Sequence, residues 1–123
     1  MFCRIGGRFA DNHDNFQRVW REIFIEYGAD IILGCHAHSV QPVKIQKYQG
    51  RKTYTLYSPG NYANIFREYN GDASVMAEIY IENKTKKILG RAIILMWTQL
   101  TLYGNYRALP IYEIENLRRK STH

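Results

Sequence analysis

The stretch "NFQRVWREIFIEYGADIILGCHAHSVQP", Asn15 to Pro42, decides the fold class. Its first half sets Phe16, Val19, Trp20, Ile23, Phe24 and Tyr27 at intervals of three and four residues, the spacing that lines one stripe of a helix. Asp11, Asn12 and Asp14 precede it as N-cap candidates, because a short side-chain oxygen accepts from the unpaired N–H groups of a first turn. Gly28 follows it, where a left-handed C-terminal cap favours a residue without Cβ. Ile31, Ile32 and Leu33 then form a continuous apolar run, the pattern of a strand covered on both faces. The expectation is a helix that delivers the chain directly into a central strand.

Beyond Pro42 the period changes from helical to two. "VKIQKY" and "KTYTLY" alternate around Gln49, Gly50 and Arg51 and predict a hairpin. In a second pair Val75, Ala77, Ile79 and Ile81 face one way and Met76, Glu78, Tyr80 and Glu82 the other, with "ENKTKK" as the turn. The return strand, Ile88 to Trp97, is apolar on both faces and is expected mid-sheet. "SPGNYANIFREYNGD" between the hairpins is rich in loop formers. Pro110 is expected to open a short last helix packed through Ile111, Ile114 and Leu117, with "RRK" at its C-terminal end. No repeat, low-complexity tract or linker divides the chain, so residues 1–123 read as a single domain of α/β (α+β) class.

Composition narrows the partners. Hydrophobic residues make up 46% and charged residues 23%, which excludes a disordered tail or a fibrous repeat. A formal charge of +6 favours anionic partners, and ten tyrosines suit half-wet sheet faces. No run approaches the ~20 apolar residues of a membrane-spanning helix, and residues 1–20 lack the apolar core of a secretion signal. Cys3 and Cys35 are too few for a disulfide framework and read as reduced thiols. Nucleic acid ranks last among partners, since the chain has neither a recognition motif nor a Lys/Arg-rich helix.

His36 and His38 follow the apolar run with one residue between them. In an extended segment residues i and i+2 point to the same side, about 6.6 Å apart, so both imidazoles would face one site. The spacing suits two ligands of one metal, or of adjacent ions ~3.5–4 Å apart. A single such pair with no carboxylate nearby is more often a hydrogen-bonded loop feature, and spacing alone leaves both open. Cys35 would point the opposite way in such a segment and is not counted as a ligand. Gly34 allows an unusual turn and a close backbone approach. His13, in "DNHDN", reads as a solvated helix start, and His123 as a frayed tail.

"GADIILGCHAHSVQPVKI", followed after a hairpin by "YSPGNYAN", resembles the poly-γ-glutamate capsule biosynthesis proteins of the CapA type, a branch of the calcineurin-like metallophosphoesterases. Gly28, Ala29, Asp30, Gly34, His36, His38 and Gln41 carry the first block of the resemblance, and Tyr57, Ser58, Gly60 and Asn61 the second. It runs from about Gly6 to the mid-nineties. The resemblance implies a metallophosphoesterase-like αββα sandwich, of which this chain would be the C-terminal portion. It also implies a site in which His36 and His38 hold a divalent metal (manganese, zinc or iron) for attack on phosphorus, with Ser58 and Asn61 bordering it. Such proteins serve an anionic polymer or phosphoester at the cell envelope, alongside membrane-associated capsule machinery.

Departures from the family text accompany the match. The family's early aspartate block and its asparagine–histidine pair have no counterpart here, so the metal site is incomplete in this chain. Aligning "IGGRF" puts Arg4 where a further histidine would stand, and Ala37 separates the two histidines where a proline is usual. Two functions follow as expectations. One is a fragment of a metal-dependent phosphoesterase-type protein. The other is a non-catalytic binding or assembly module in which Arg4, Arg8, Lys44 and Lys47 contact an anionic polymer or phosphate. A part-domain exposes sheet faces and edges, so a homo-oligomer or strand-exchanged dimer is expected.

Overall fold

The structure, a computed structural model, describes residues 2–4 in their backbone, 7–8, 12–63 and 71–112. They form a mixed α/β arrangement of one helix and two small sheets, and the chain divides into two compact units, residues 1–60 and 61–123.

In the first unit, β1 (Phe2–Arg4) leads to α1 (Asn15–Glu26), which feeds β2 (Ile31–Cys35); β3 (Val43–Tyr48) and β4 (Arg51–Leu56) follow. The strand order is β1-β2-β4-β3, with β1, β2 and β4 parallel and β3 antiparallel to β4. So the helix does deliver the chain into a strand flanked on both sides. Asp14 is the N-cap: its side chain accepts from the Gln17 N–H at 2.8 Å while Gln17 Oε1 accepts from the Asp14 N–H at 3.0 Å, a reciprocal capping box. At the other end the Ala29 N–H reaches Phe24 O and the Gly28 N–H reaches Ile25 O, with Gly28 at φ 99°, which is a Schellman closure. The β3–β4 hairpin turns on Gln49 and Gly50, at φ 48° and 79°, so both central residues are left-handed as a tight two-residue hairpin loop requires.

Asp30, the acid of "GAD", ties these parts together. Its carboxylate pairs with Arg51 at the start of β4, and its carbonyl accepts from the Tyr54 N–H at 2.7 Å. Arg51 also donates to Ile25 O at 2.9 Å, a cation on the carbonyl end of the helix, and lies over the Tyr48 ring.

The face that α1 buries differs from the expected stripe. Gln17, Arg21 and Ile25 are 0–1% exposed, whereas Phe16, Val19, Trp20 and Tyr27 are 38–87% exposed. The inward stripe, spaced i, i+4, i+8, is held by polar bonds: Gln17 Nε2 donates to Gln41 Oε1 at 2.8 Å and Arg21 Nε to Thr55 Oγ1 at 3.1 Å. The apolar residues form an outward aromatic ladder, Phe16 to Trp20 to Phe24, with ring centroids 6.1 and 5.6 Å apart. Periodicity locates two stripes of a helix; which one faces inward depends on the partners offered, and here those are Gln41 of the loop after β2 and Thr55 of β4.

In the second unit, β5 (Ala73–Ile81), β6 (Ile88–Leu100) and β7 (Tyr106–Pro110) form an antiparallel sheet in that order, so β6 is central as its two apolar faces predict. The turn at residues 82–87 is closed by Glu82 N–H to Lys87 O and Lys86 N–H to Glu82 O, each at 2.9 Å. Thr98, fully buried, donates to the carbonyls of Asn61 and Tyr62, and Tyr62 Oη donates to Val75 O. Pro110 is the last residue of β7, and residues 111 and 112 directly after it are helical, as expected; the rest of that expected helix, with Ile114 and Leu117, lies outside the described residues. β1 and β7 are strands that the sequence pattern did not mark. No described helix is long and apolar enough to cross a membrane.

Candidate functional site

His36 and His38 lie just past the carboxyl end of β2, where layered α/β proteins gather their functional groups. They are not in extended backbone. His36 has φ 119° and His38 φ 61°, both left-handed and both costly for a residue with a Cβ. The expected i, i+2 geometry is therefore replaced by a tight turn around the buried Ala37. The turn still brings the rings close, with centroids 6.3 Å apart and planes at 54°. Both imidazoles are half-buried.

Gly34 supplies the approach that shapes this turn. A Cβ there would sit 2.2 Å from the Tyr57 carbonyl oxygen, so only glycine lets β2 run this close to the chain leaving β4. Its place inside β2 makes close approach, not a turn, the reason for the residue. The same contact begins a seam between the two sequence blocks: the Tyr57 N–H reaches Pro42 O, the Gln41 N–H reaches Ser58 O at 3.0 Å, and Val40 bridges Pro59. Gln41 is buried and its amide also donates to Asn12 O at 3.1 Å, so it clasps the histidine turn to the start of α1.

The remaining expected site residues fall as follows. Arg4 pairs in register with Cys35 across β1 and β2, one residue before His36. Ser58 is buried, with its hydroxyl accepting from the Gly60 N–H. Asn61 belongs to the second unit, 8% exposed, where its amide donates to Gly71 O at 3.1 Å. Cys35 carries an exposed thiol outside any disulfide.

The two imidazoles suit a divalent ion in donor type and fall short in number. Among the described residues no group of three or more His, Cys, Asp or Glu is placed to hold a metal. Two rings on one tetrahedral ion, with metal–nitrogen bonds of about 2.1 Å, have centroids roughly 5 Å apart. The observed 6.3 Å suits neighbouring ions better than one shared ion.

Sequence reading passed over a second group. His13 is not a solvated helix start: it is half-buried and stacks on Tyr57 with centroids 4.0 Å apart and planes at 2°. Burial lowers its pKa below 6.5, and Lys44, Arg21 and Arg18 push the same way against Asp14. Burial raises the Tyr57 phenol above its ordinary value. The sequence carries no signal that joins His13, Arg21 and Tyr57, since the burial of Arg21 depends on Thr55, far away in the chain.

Residues 2–65 match the family described as "Bacterial capsule synthesis protein PGA_cap". That span covers both motif blocks and the seam between them. The chain belongs to this capsule synthesis family. No curated protein and no solved structure matches it. Within the family's span lie residues 2–60 of the first unit, with the histidine turn, and the Tyr57–Asn61 segment.

Proposed function

We propose that this member of the capsule synthesis family contributes His36 and His38 to a divalent-metal site acting on a phosphoester or anionic polymer at the cell envelope. One observation carries the reading: two half-buried histidines, at φ 119° and 61°, hold their rings 6.3 Å apart at the end of a parallel strand. Backbone strain of this kind costs about 1–3 kcal/mol per residue, and a loop with no use for the rings has no reason to keep it. His36 and His38 would each offer one ring nitrogen to a divalent ion of that site. Bound there, a divalent cation supplies Lewis acidity at a phosphoryl oxygen. The chain's own part is to orient the rings: Gly34 admits the approach to Tyr57, and Gln41 fixes the turn against α1. The other ligands would come from groups beyond the described residues or from another chain.

The test is manganese and zinc binding, with hydrolysis of a generic phosphoester, in wild type, His36→Ala and His38→Ala. Saturable binding that each substitution weakens is the expected result. Wild type and both variants equally inert, and binding neither metal, would leave the alternative of a non-catalytic module for an anionic polymer. The charge of +6 favours that alternative on its own.

A further inference from the structure

Three buried polar atoms carried by the start of α1, its middle and the exit of β4 have no hydrogen-bond partners among the described residues: Arg21 Nη2, Tyr57 Oη and His13 Nδ1. Arg21 and Tyr57 are 1% and 2% exposed. Arg21 is anchored from its other nitrogens, through Nε to Thr55 Oγ1 at 3.1 Å and through Nη1 to Glu22, so the remaining amino group is held in a fixed direction. Thr55 and Tyr57 stand two residues apart on the same line of chain, and His13 stacks flat on Tyr57 at 4.0 Å. The guanidinium keeps an unused amino group and the phenol an unused hydroxyl, both buried, and buried donors are rarely left so.

The surrounding charge is mainly positive, and Glu22, the acid nearest Arg21, is already paired with it. Lys44, Arg21 and Arg18 all oppose protonation of His13, and the one acid acting on it, Asp14, is engaged by the N–H groups of Gln17 and Gly7. An anion is the species such a place lacks.

We propose that Arg21, Tyr57 and His13 form a binding site for a phosphate-type oxyanion, reached past the half-buried His13 ring. Arg21 Nη2 and Tyr57 Oη donate to its oxygens, and Lys44 and Arg18 add long-range attraction. His13 Nδ1 becomes a third donor when protonated, which the incoming negative charge favours. None of these residues is a proposed metal ligand, so the site stands or falls separately from the His36–His38 reading.

Titration of the metal-free chain with inorganic phosphate, in the presence of a chelator, tests it through the His13 ring signals in NMR and through calorimetry. A saturable shift of those signals and a raised His13 pKa are expected. Arg21→Gln removes the guanidinium but sits in the core, so Tyr57→Phe is the decisive variant: it keeps the ring and the stack and loses one hydrogen bond to a charged ligand. Its affinity for phosphate should fall about tenfold or more. Failure of wild type to bind phosphate saturably, or equal affinity in Tyr57→Phe, would overturn the site; acetate binding as tightly as phosphate would overturn its assignment to phosphate.

Discussion

Replacing Gly34 by alanine tests the packing that positions the histidine turn. The added methyl would lie 2.2 Å from Tyr57 O, 3.0 Å from its carbonyl carbon and 3.3 Å from its Cα. An ordinary contact begins near 3.4 Å, so the Tyr57 backbone must retreat by about 1.2 Å. That retreat strains the hydrogen bond from the Tyr57 N–H to Pro42 O and shifts a ring stacked on His13. Overpacking of a core costs roughly 1–3 kcal/mol when side chains can adjust. Here the obstacle is backbone on a neighbouring strand, so about 3 kcal/mol is expected. For a unit of this size that lowers Tm by roughly 12–24 °C. Gly7→Ala is the control, because nothing stands within 4 Å of its Cβ position. Thermal unfolding followed by circular dichroism measures both. A Gly34→Ala protein that melts with wild type would refute the close approach of β2 to Tyr57.

Arg51→Ala should cost about 1–2 kcal/mol in urea unfolding, since it removes a partly exposed ion pair with Asp30 and a charged hydrogen bond to Ile25 O; Lys47→Ala, exposed, should cost nothing measurable. His13, faced by Lys44 from β3, by Arg21 and Arg18 from α1, and by Asp14 and Tyr57, has a folded-state pKa below its unfolded 6.5. On acidification the unfolded chain therefore takes up this proton first: the neutral ring's stability is intact above pH 6.5 and declines as pH falls below it. His13→Phe should flatten that part of a stability-versus-pH curve, and an unchanged slope would contradict the burial. Val19→Lys and Phe16→Glu, both on the exposed ladder of α1, should leave Tm within about 2 °C of wild type while reducing self-association in sedimentation velocity; a loss of stability instead would mean that the ladder is covered within the chain.

Local chemistry made much of the first unit legible. The Asp14 cap, the Gly28 closure and the Gln49–Gly50 turn each depend on residues adjacent in sequence, and each stands where the pattern places it. The inward face of α1 depends on residues distant in sequence, Gln41 and Thr55, which engage the Gln17 amide and the Arg21 Nε in the interior. β7 escaped because Pro110 closes a strand as readily as it opens a helix when no neighbour is known. The histidine pair was legible in type and place but not in conformation, since a period of two assumes extended backbone and the chain turns left-handed at both residues. The Arg21–Tyr57–His13 group spans the start of α1, its middle and the exit of β4, and no spacing rule joins three such positions.

The dihedral at His36 has a further consequence. At φ 119° glycine would be the more comfortable occupant, so replacing His36 by glycine relieves backbone strain while giving up the contacts of a half-buried ring and adding freedom to the unfolded chain. Sequence libraries selected for thermal endurance alone would read out the balance: enrichment of glycine at position 36 would mean that the backbone strain outweighs the contacts of the ring.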